Sequence, residues 1–368
     1  MNGKRRLGVG IIGAGNISSQ YLKALRDFPV LEVVGIADMR EAAAAARGEE
    51  FGVTAMGVEQ LLAAPAVDIV LNLTIPRAHV EVGLRALAAG KHVYAEKPLG
   101  IDLAEGRRLL QAADQAGLRL GSAPDTFLGG AHQQARQVID SGAIGTVIGG
   151  TAFFACPGHE YWHPDPAFYY DIGGGPVLDM GPYYITDLVN LLGPVARVQA
   201  LSVTPHRQRP VRSEPKRGEL MEVKVDTHVT GTLVFASGAL IQLTLSFDVP
   251  KHAHLPFQLF GTEASLIVPD PNHFGGEVRL APPRGEWEEV PVALPFADAN
   301  YRSLGLADMA QAILEDRPHR ASGALALHVL EVMEALSTAS REARIVDIES
   351  RVERPAPLAE TPVEQRAG

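Results

Sequence analysis

The chain of 368 residues contains a single cysteine, Cys156, so no internal disulfide framework is possible and a reducing compartment is expected. It also lacks any basic excess. The formal net charge is −10, which argues against a nucleic-acid partner, since that partner requires a basic face. No apolar run approaches the roughly 20 residues of a membrane span, so no membrane partner is expected. The N-terminal stretch "MNGKRRLGVGIIGAG" is basic and then apolar. Its apolar part covers only about seven residues, is broken by glycine and offers no cleavage site, so it is not expected to be a secretion signal. A cytoplasmic protein is expected. Internal repeats and extended low-complexity segments are absent as well.

What is present is the make-up of a soluble globular protein, 46% hydrophobic and 21% charged. The length predicts two domains. The opening "LGVGIIGAGNISSQYLKAL" reads as a short buried strand, a tight glycine turn and an amphipathic helix. The turn Gly13-Ala14-Gly15-Asn16-Ile17-Ser18 has the pattern G-x-G-x-x-small. Gly13 permits the turn, Gly15 lets the backbone approach a pyrophosphate, and Ser18 is small enough for close helix–strand packing. The helix start offers free N–H groups and a positive dipole end to phosphate. A second strand, "LEVVGIAD", ends in Asp38, where a carboxylate would bind the adenosine ribose hydroxyls. Asp38 favours NAD because it would repel a 2′-phosphate; Arg40, two residues on, keeps NADP open.

Strand and helix signals go on alternating to about residue 123, which predicts a parallel, doubly wound sheet. Ligands bind such sheets at the carboxyl ends of the strands. Along that edge fall the Gly13 turn, Asp38, Thr74, Pro76, Glu96 and Lys97, with His79 just beyond Pro76 at the start of the next helix. Asn16, Ile17, Arg40 and His79 join the candidate cofactor-binding set. In Glu96-Lys97-Pro98 the proline imposes an extended or turned geometry on a lysine at a strand end. The lysine amine is then expected to point into the cofactor crevice, able to hydrogen-bond a substrate hydroxyl.

With the glycine turn and Asp38, the segment "AGKHVYAEKPL" resembles the glucose–fructose oxidoreductase, inositol dehydrogenase and rhizopine-catabolism (Gfo/Idh/MocA) family. The resemblance is strongest over residues 7 to 128 and 173 to 193. It implies a pyridine-nucleotide oxidoreductase acting on sugars, cyclitols or related alcohols. It also implies that Lys97 is catalytic and that the Lys97–Pro98 peptide is a candidate cis bond.

Beyond residue 125 a helix is followed by period-two patterns separated by turn residues, which predict a largely antiparallel sheet with one covered face. One of these patterns, "PFQLFGTEASLIVPD", reads as a single strand. Two late helices follow. The expected division is a nucleotide-binding domain over 1–125, an α+β substrate and oligomerisation domain over 126–353, and a poorly ordered tail over 354–368. The family habit implies a homodimer or homotetramer.

The segment "GHEYWHPDP" formally matches the zinc motif H-E-x-x-H, which functions only on a helix. Flanking prolines and glycine argue against that helix, so no metal is expected. His252 and His254 lack an evident third ligand and read as a loop or strand-end pair. The aromatic segment reads instead as a substrate loop, or alternatively as a subunit contact. Sugar sites combine aromatic faces with hydrogen-bonding side chains, here His159, Trp162, His163 and Asp165.

The stretch "GGGPVLDMGPYYITDLVNLLG" carries Asp179 and Tyr183 one helical turn apart. It resembles the family's D-x-G-x-Y branch, which implies substrate binding by Asp179 and the acid/base position for Tyr183. An unperturbed tyrosine has a pKa of about 10, so Tyr183 is expected to lean on the Lys97 cation. Pro182 either kinks the helix or belongs to its first turn. Tyr184 competes with Tyr183 as the inward residue. The resulting expectation is hydride transfer between a ring hydroxyl of a sugar, glycoside or cyclitol and NAD or NADP. The alternatives are a non-catalytic NAD(P)-binding regulator and a redox-neutral, NAD-dependent glycoside hydrolase.

Overall fold

Short aliphatic runs alternate with glycine-closed amphipathic stretches over the first third of the chain, and the elements follow them. The computed structural model describes residues 6–358 and 362–365. In order come β1 (Leu7–Ile12), α1 (Asn16–Ala24), β2 (Leu31–Ala37), α2 (Glu41–Phe51), α3 (Val58–Ala63), β3 (Ile69–Asn72), α4 (His79–Ala88), β4 (His92–Ala95), α5 (Leu103–Ala116) and β5 (Leu120–Ser122). The strands form one sheet in the order β2-β1-β3-β4-β5, and every pairing is parallel. Every residue of β1 is buried, as a strand covered on both faces requires. The chain runs from β1 to β2 on one side and returns to β3 on the other. This reversal opens a crevice at the carboxyl ends of β1 and β3, where a doubly wound sheet takes its ligand.

A second region is built on a nine-stranded sheet. Its elements are α6 (Gly130–Asp140), β6 (Val147–Ala155), α7 (Gly175–Leu192), β7 (Val195–Val203), β8 (Gln208–Pro210), β9 (Leu220–Glu222), β10 (His228–Phe235), β11 (Leu240–Ser246), β12 (Phe257–Gly261), β13 (Ser265–Val268), β14 (Val278–Ala281) and β15 (Glu288–Val290). Then follow α8 (Leu304–Glu315), α9 (Gly323–Glu342) and β16 (Val346–Asp347). The large sheet runs β15-β14-β13-β12-β6-β11-β10-β7-β16, with β6 and β11 its one parallel pair. Val198, Leu233, Ile241 and Leu243 are buried on the face against which α7 packs. Leu201, Thr230 and Gln242 alternate with them and are exposed. That is the period-two pattern of an antiparallel sheet with one covered face.

Three expectations need correction. The single strand expected over "PFQLFGTEASLIVPD" is the hairpin β12–β13, turned where the Gly261 N–H donates to the Ala264 carbonyl at 2.9 Å. The chain is also not two consecutive blocks: one compact unit takes residues up to 128, 299–327 and 355 onward, the other 129–298 and 328–354. Long-range hydrogen bonds explain this. Asp125 accepts the Ser303 and Gly305 N–H groups at 3.0 and 2.9 Å, and so draws the start of α8 into the first unit.

Nor is the start of the tail loose. Prolines leave it few donors of its own, but Arg320 supplies them, giving 2.9 Å bonds to the carbonyls of Ala356 and Pro357. Leu358 and Val363 are buried, and Arg354 donates to the Asn190 carbonyl at 2.6 Å. The other residues of the expected tail, 359–361 and 366–368, lie outside the described residues.

Candidate functional site

In the first unit the turn after β1 is a shaped cradle. Gly13 stands at φ 112°, and a Cβ there would lie 2.5 Å from the Leu73 backbone, so only glycine fits. Gly15 differs: its φ is −72°, and a Cβ would meet nothing within 4 Å. None of the described residues requires glycine at that position, whereas a ligand lying on the backbone would. Gly15 is also the N-cap of α1 and provides no side-chain cap; the Ser18 N–H bonds the Gly15 carbonyl at 3.1 Å, and the positive end of the helix dipole faces the turn, where an anion would be favoured. Ser18 is fully buried, and its hydroxyl donates to the Gly15 carbonyl at 2.6 Å. Asn16 is exposed and Ile17 half-buried on the first turn.

Asp38, just past β2, braces this turn. Its Oδ2 accepts the Ala14 N–H at 2.8 Å and its Oδ1 the Arg40 N–H at 2.9 Å. The Arg40 side chain is largely exposed, 3.6 Å from the same carboxylate. Arg47 was not singled out from the sequence, since "EAAAAARGEE" reads only as a helix. Its guanidinium lies 3.4 Å from the Gly15 carbonyl and adds positive charge beside the cradle. These residues fit a dinucleotide, with pyrophosphate over Gly15 and the start of α1 and the adenosine ribose at Asp38.

The next strand ends are tied together by buried polar groups. Asn72 is fully buried; its amide donates to the His79 carbonyl at 2.9 Å, and its Oδ1 accepts the Thr74 hydroxyl at 2.7 Å. Thr74 and Pro76 are half-buried on this loop. His79, expected among the cofactor contacts, forms an internal clasp. It is 1% exposed, with Nδ1 2.7 Å from the Pro98 carbonyl and Nε2 3.0 Å from the Thr74 carbonyl. Burial lowers its pKa, and the two carbonyls oppose that shift. Lys97 is half-buried, and the Lys97–Pro98 peptide is cis. Glu96 anchors this turn: its carboxylate accepts the Tyr21 hydroxyl at 2.7 Å and the Lys97 N–H at 2.9 Å. Tyr21 has its pKa raised, first by burial and then by the Glu96 charge, so it is a neutral donor. Tyr21, too, was not singled out, because a tyrosine on an amphipathic helix signals only core.

In the second unit, α7 begins at Gly175 with Pro176 in its first turn and runs unbroken to Leu192, so Pro182 is interior. Asp179 therefore lies inside the helix rather than at its cap. Tyr184 donates its hydroxyl to the Phe153 carbonyl at 3.2 Å and is committed to the core. Tyr183 is buried one residue away on a different face of the helix.

The aromatic segment brings His159, Trp162 and His163 together on one turn. His159 comes together with Asp179, Nε2 to Oδ2 at 3.1 Å, and with Trp162, whose indole Nε1 lies 3.1 Å from His159 Nδ1. His163 follows on the same turn, its N–H donating to the His159 carbonyl at 2.9 Å and its ring centroid 5.2 Å from that of Trp162, while Asp165 lies exposed beyond it. Asp165 pairs with Lys216 at 2.9 Å, and its N–H donates to His163 Nδ1 at 3.0 Å. Burial holds the His163 pKa below its usual value. Residues His159–Tyr161 form a 3-10 turn, not the helix that a zinc motif requires. Glu160 is buried against Arg209, Nε to Oε1 at 2.8 Å. Arg209 had no signal in the sequence, since its only local context is a polar, proline-bearing stretch. His252 and His254 flank the Phe153 ring, at centroid distances of 4.9 and 4.1 Å.

Two family models match the chain. One, described as an oxidoreductase family with an NAD-binding Rossmann fold, covers residues 7–123; the other, the Gfo/Idh/MocA C-terminal domain, covers 132–267. Among similar proteins, 1,5-anhydro-D-fructose reductase of Ensifer adhaerens is 30% identical over 70% of this chain and 74% of its own. A dTDP-3,4-didehydro-2,6-dideoxy-alpha-D-glucose 3-reductase of Streptomyces violaceoruber is 32% identical over 72% of this chain and 73% of its own. Among solved structures, levoglucosan dehydrogenase in complex with NADH superposes with a TM-score of 0.81 at 21% identity, covering 95% of this chain and all of that one, which shows the shared fold. With its NAD-binding Rossmann half and its matching C-terminal half, the chain belongs to the Gfo/Idh/MocA family of oxidoreductases.

Proposed function

We propose that the protein transfers hydride between the nicotinamide of NAD, or of NADP, and a ring hydroxyl of a sugar, glycoside or cyclitol. The observation that carries the substrate class is the Asp179–His159–Trp162 array. It sets a carboxylate acceptor and an exposed aromatic face on one short hydrogen-bonded string. Polyhydroxylated rings call for that combination, hydroxyls to the carboxylate and C–H faces to the aromatic. The relatives named as acting on sugars support the same class.

In this reading Asp179 holds the substrate and Tyr183 handles the proton of the reacting hydroxyl, with Lys97 stabilising the developing alkoxide. The bound dinucleotide supplies the hydride acceptor. Asp38 favours NAD by its charge, and the largely exposed Arg40 beside it keeps NADP open. We further propose a cytoplasmic protein that forms a homodimer or homotetramer through the open face of the nine-stranded sheet.

The test is a panel of sugars, glycosides and cyclitols, each assayed with NAD and NADP through absorbance of the reduced cofactor. At least one ring alcohol should be turned over. Lys97→Met and Tyr183→Phe should each lower kcat by on the order of a hundredfold or more, while NAD still binds by calorimetry. Unchanged turnover in both variants would sink the assignment.

A further inference from the structure

His159 heads a turn whose backbone is held from several sides. Gly158 stands at φ 115°, where a Cβ would lie 2.3 Å from Glu160 Oε2 and 2.6 Å from the Tyr170 hydroxyl, so glycine is required. The His159 N–H donates to that hydroxyl at 3.2 Å, and the hydroxyl donates to Glu160. Arg209 locks the set through Glu160 Oε1 and Asp248 Oδ1, at 2.8 and 2.7 Å, and through the Pro157 carbonyl at 2.8 Å. The rings of Tyr169 and Phe247 flank the imidazole, with centroids 4.0 and 4.5 Å away. The imidazole therefore has one orientation.

Its two nitrogens have opposite and fixed roles. An indole N–H can only donate, so His159 Nδ1 must accept from Trp162 and carries no proton. The ring proton then sits on Nε2, where it donates to Asp179 Oδ2. Protonating Nδ1 would set two N–H donors against each other.

We propose that His159 is a positioning residue rather than a substrate contact: it aims Asp179 through Nε2–H, and Trp162 acts through it by fixing the tautomer. This rests on the reading of Asp179 and Tyr183 given above. Both polar atoms of the imidazole are used internally, so a substrate hydroxyl meets Asp179 and the exposed Trp162 face instead.

The test has two arms on the full-length protein. In the first, histidine is labelled with nitrogen-15, and His159 is assigned by its loss in His159→Gln. The long-range proton–nitrogen spectrum should show the neutral Nε2–H tautomer, and Trp162→Phe, which keeps an aromatic ring but removes the indole N–H, should erode that preference. A protonated Nδ1 in the wild type overturns the proposal. In the second arm, kinetics are compared at equal NAD affinity and melting temperature. His159→Phe should lose on the order of ten- to a hundredfold in kcat/KM. His159→Gln, which can still offer Asp179 an N–H, should recover most of it, and Trp162→Phe should fall between. If Asp179→Asn is inactive while His159→Phe and Trp162→Phe match the wild type, positioning is wrong and the functional reading stands. If Asp179→Asn turns over normally, the functional reading fails, and with it the role of His159 in the reaction. The labelling arm still decides the tautomer.

Discussion

Gly13 and Gly15 lie two positions apart and are glycine for different reasons. Gly13→Ala would place a left-handed alanine against the Leu73 backbone, so a loss of about 2 kcal/mol or more in unfolding free energy is expected. Gly15→Ala meets nothing in the protein, so its melting temperature should stay near wild type while the dissociation constant for NAD rises about tenfold or more. Urea titration and calorimetry on the two variants separate these effects; equal loss of stability in both would refute the cradle. The shape of this turn was legible in the sequence because its logic is local: a tight turn, a helix start and an acidic strand end. The internal bonding of His79 was not legible, for a related reason. Its position next to the strand ends suggested a ligand, and only the tertiary fold shows the Thr74 and Pro98 carbonyls closing on it. The bond from Tyr184 to the Phe153 carbonyl also needed coordinates, since adjacent helical residues point about 100° apart and both tyrosines are apolar enough for the core.

At the level of elements, the start of α8 is held by a carboxylate that burial makes costly. Burial raises the Asp125 pKa to about 6, against the opposing Gly305 and Ser303 N–H groups. A folded pKa above the unfolded value of about 3.9 means that the folded state binds its proton more tightly, so this contribution is complete below pH 4 and is lost as pH rises through 6. Asp125→Asn should therefore gain stability relative to wild type by about 2 kcal/mol between pH 4 and pH 7, whatever its offset at pH 4. Urea melts at the two pH values measure this, and a pH-independent difference would refute it. The parallel sheet was readable because each βα unit carries its own period and its own glycine stop. The His159–Asp179 bond was not, because it joins a 3-10 turn to α7 across intervening loop residues and no periodicity links them. The ribbon β8–β9 was unreadable for a similar reason: its strands have three residues each, too short for alternation to register.

For the whole molecule, the division of the chain is the feature least visible in sequence, because an element's affiliation depends on partners far away. Asp125 and Arg320 each commit the first unit to a later segment. Ending the chain after residue 354 removes both carbonyls from Arg320, a side chain that is 3% exposed. The expected outcome is a loss of about 2–4 kcal/mol in unfolding free energy, seen as a lower denaturant midpoint; an unchanged midpoint would show that the tail is passive. The same interleaving governs how the protein is made. A ribosome delivers Asp125 long before Ser303 and Arg320 long before Ala356, and at about 5–20 residues per second the wait from the first glycine turn to the closing carbonyls is roughly 20–70 seconds. Once residue 128 is made, the nucleotide-binding half is present yet unfinished, and it gains these anchors only when residues 303–305 and the Ala356 and Pro357 carbonyls emerge.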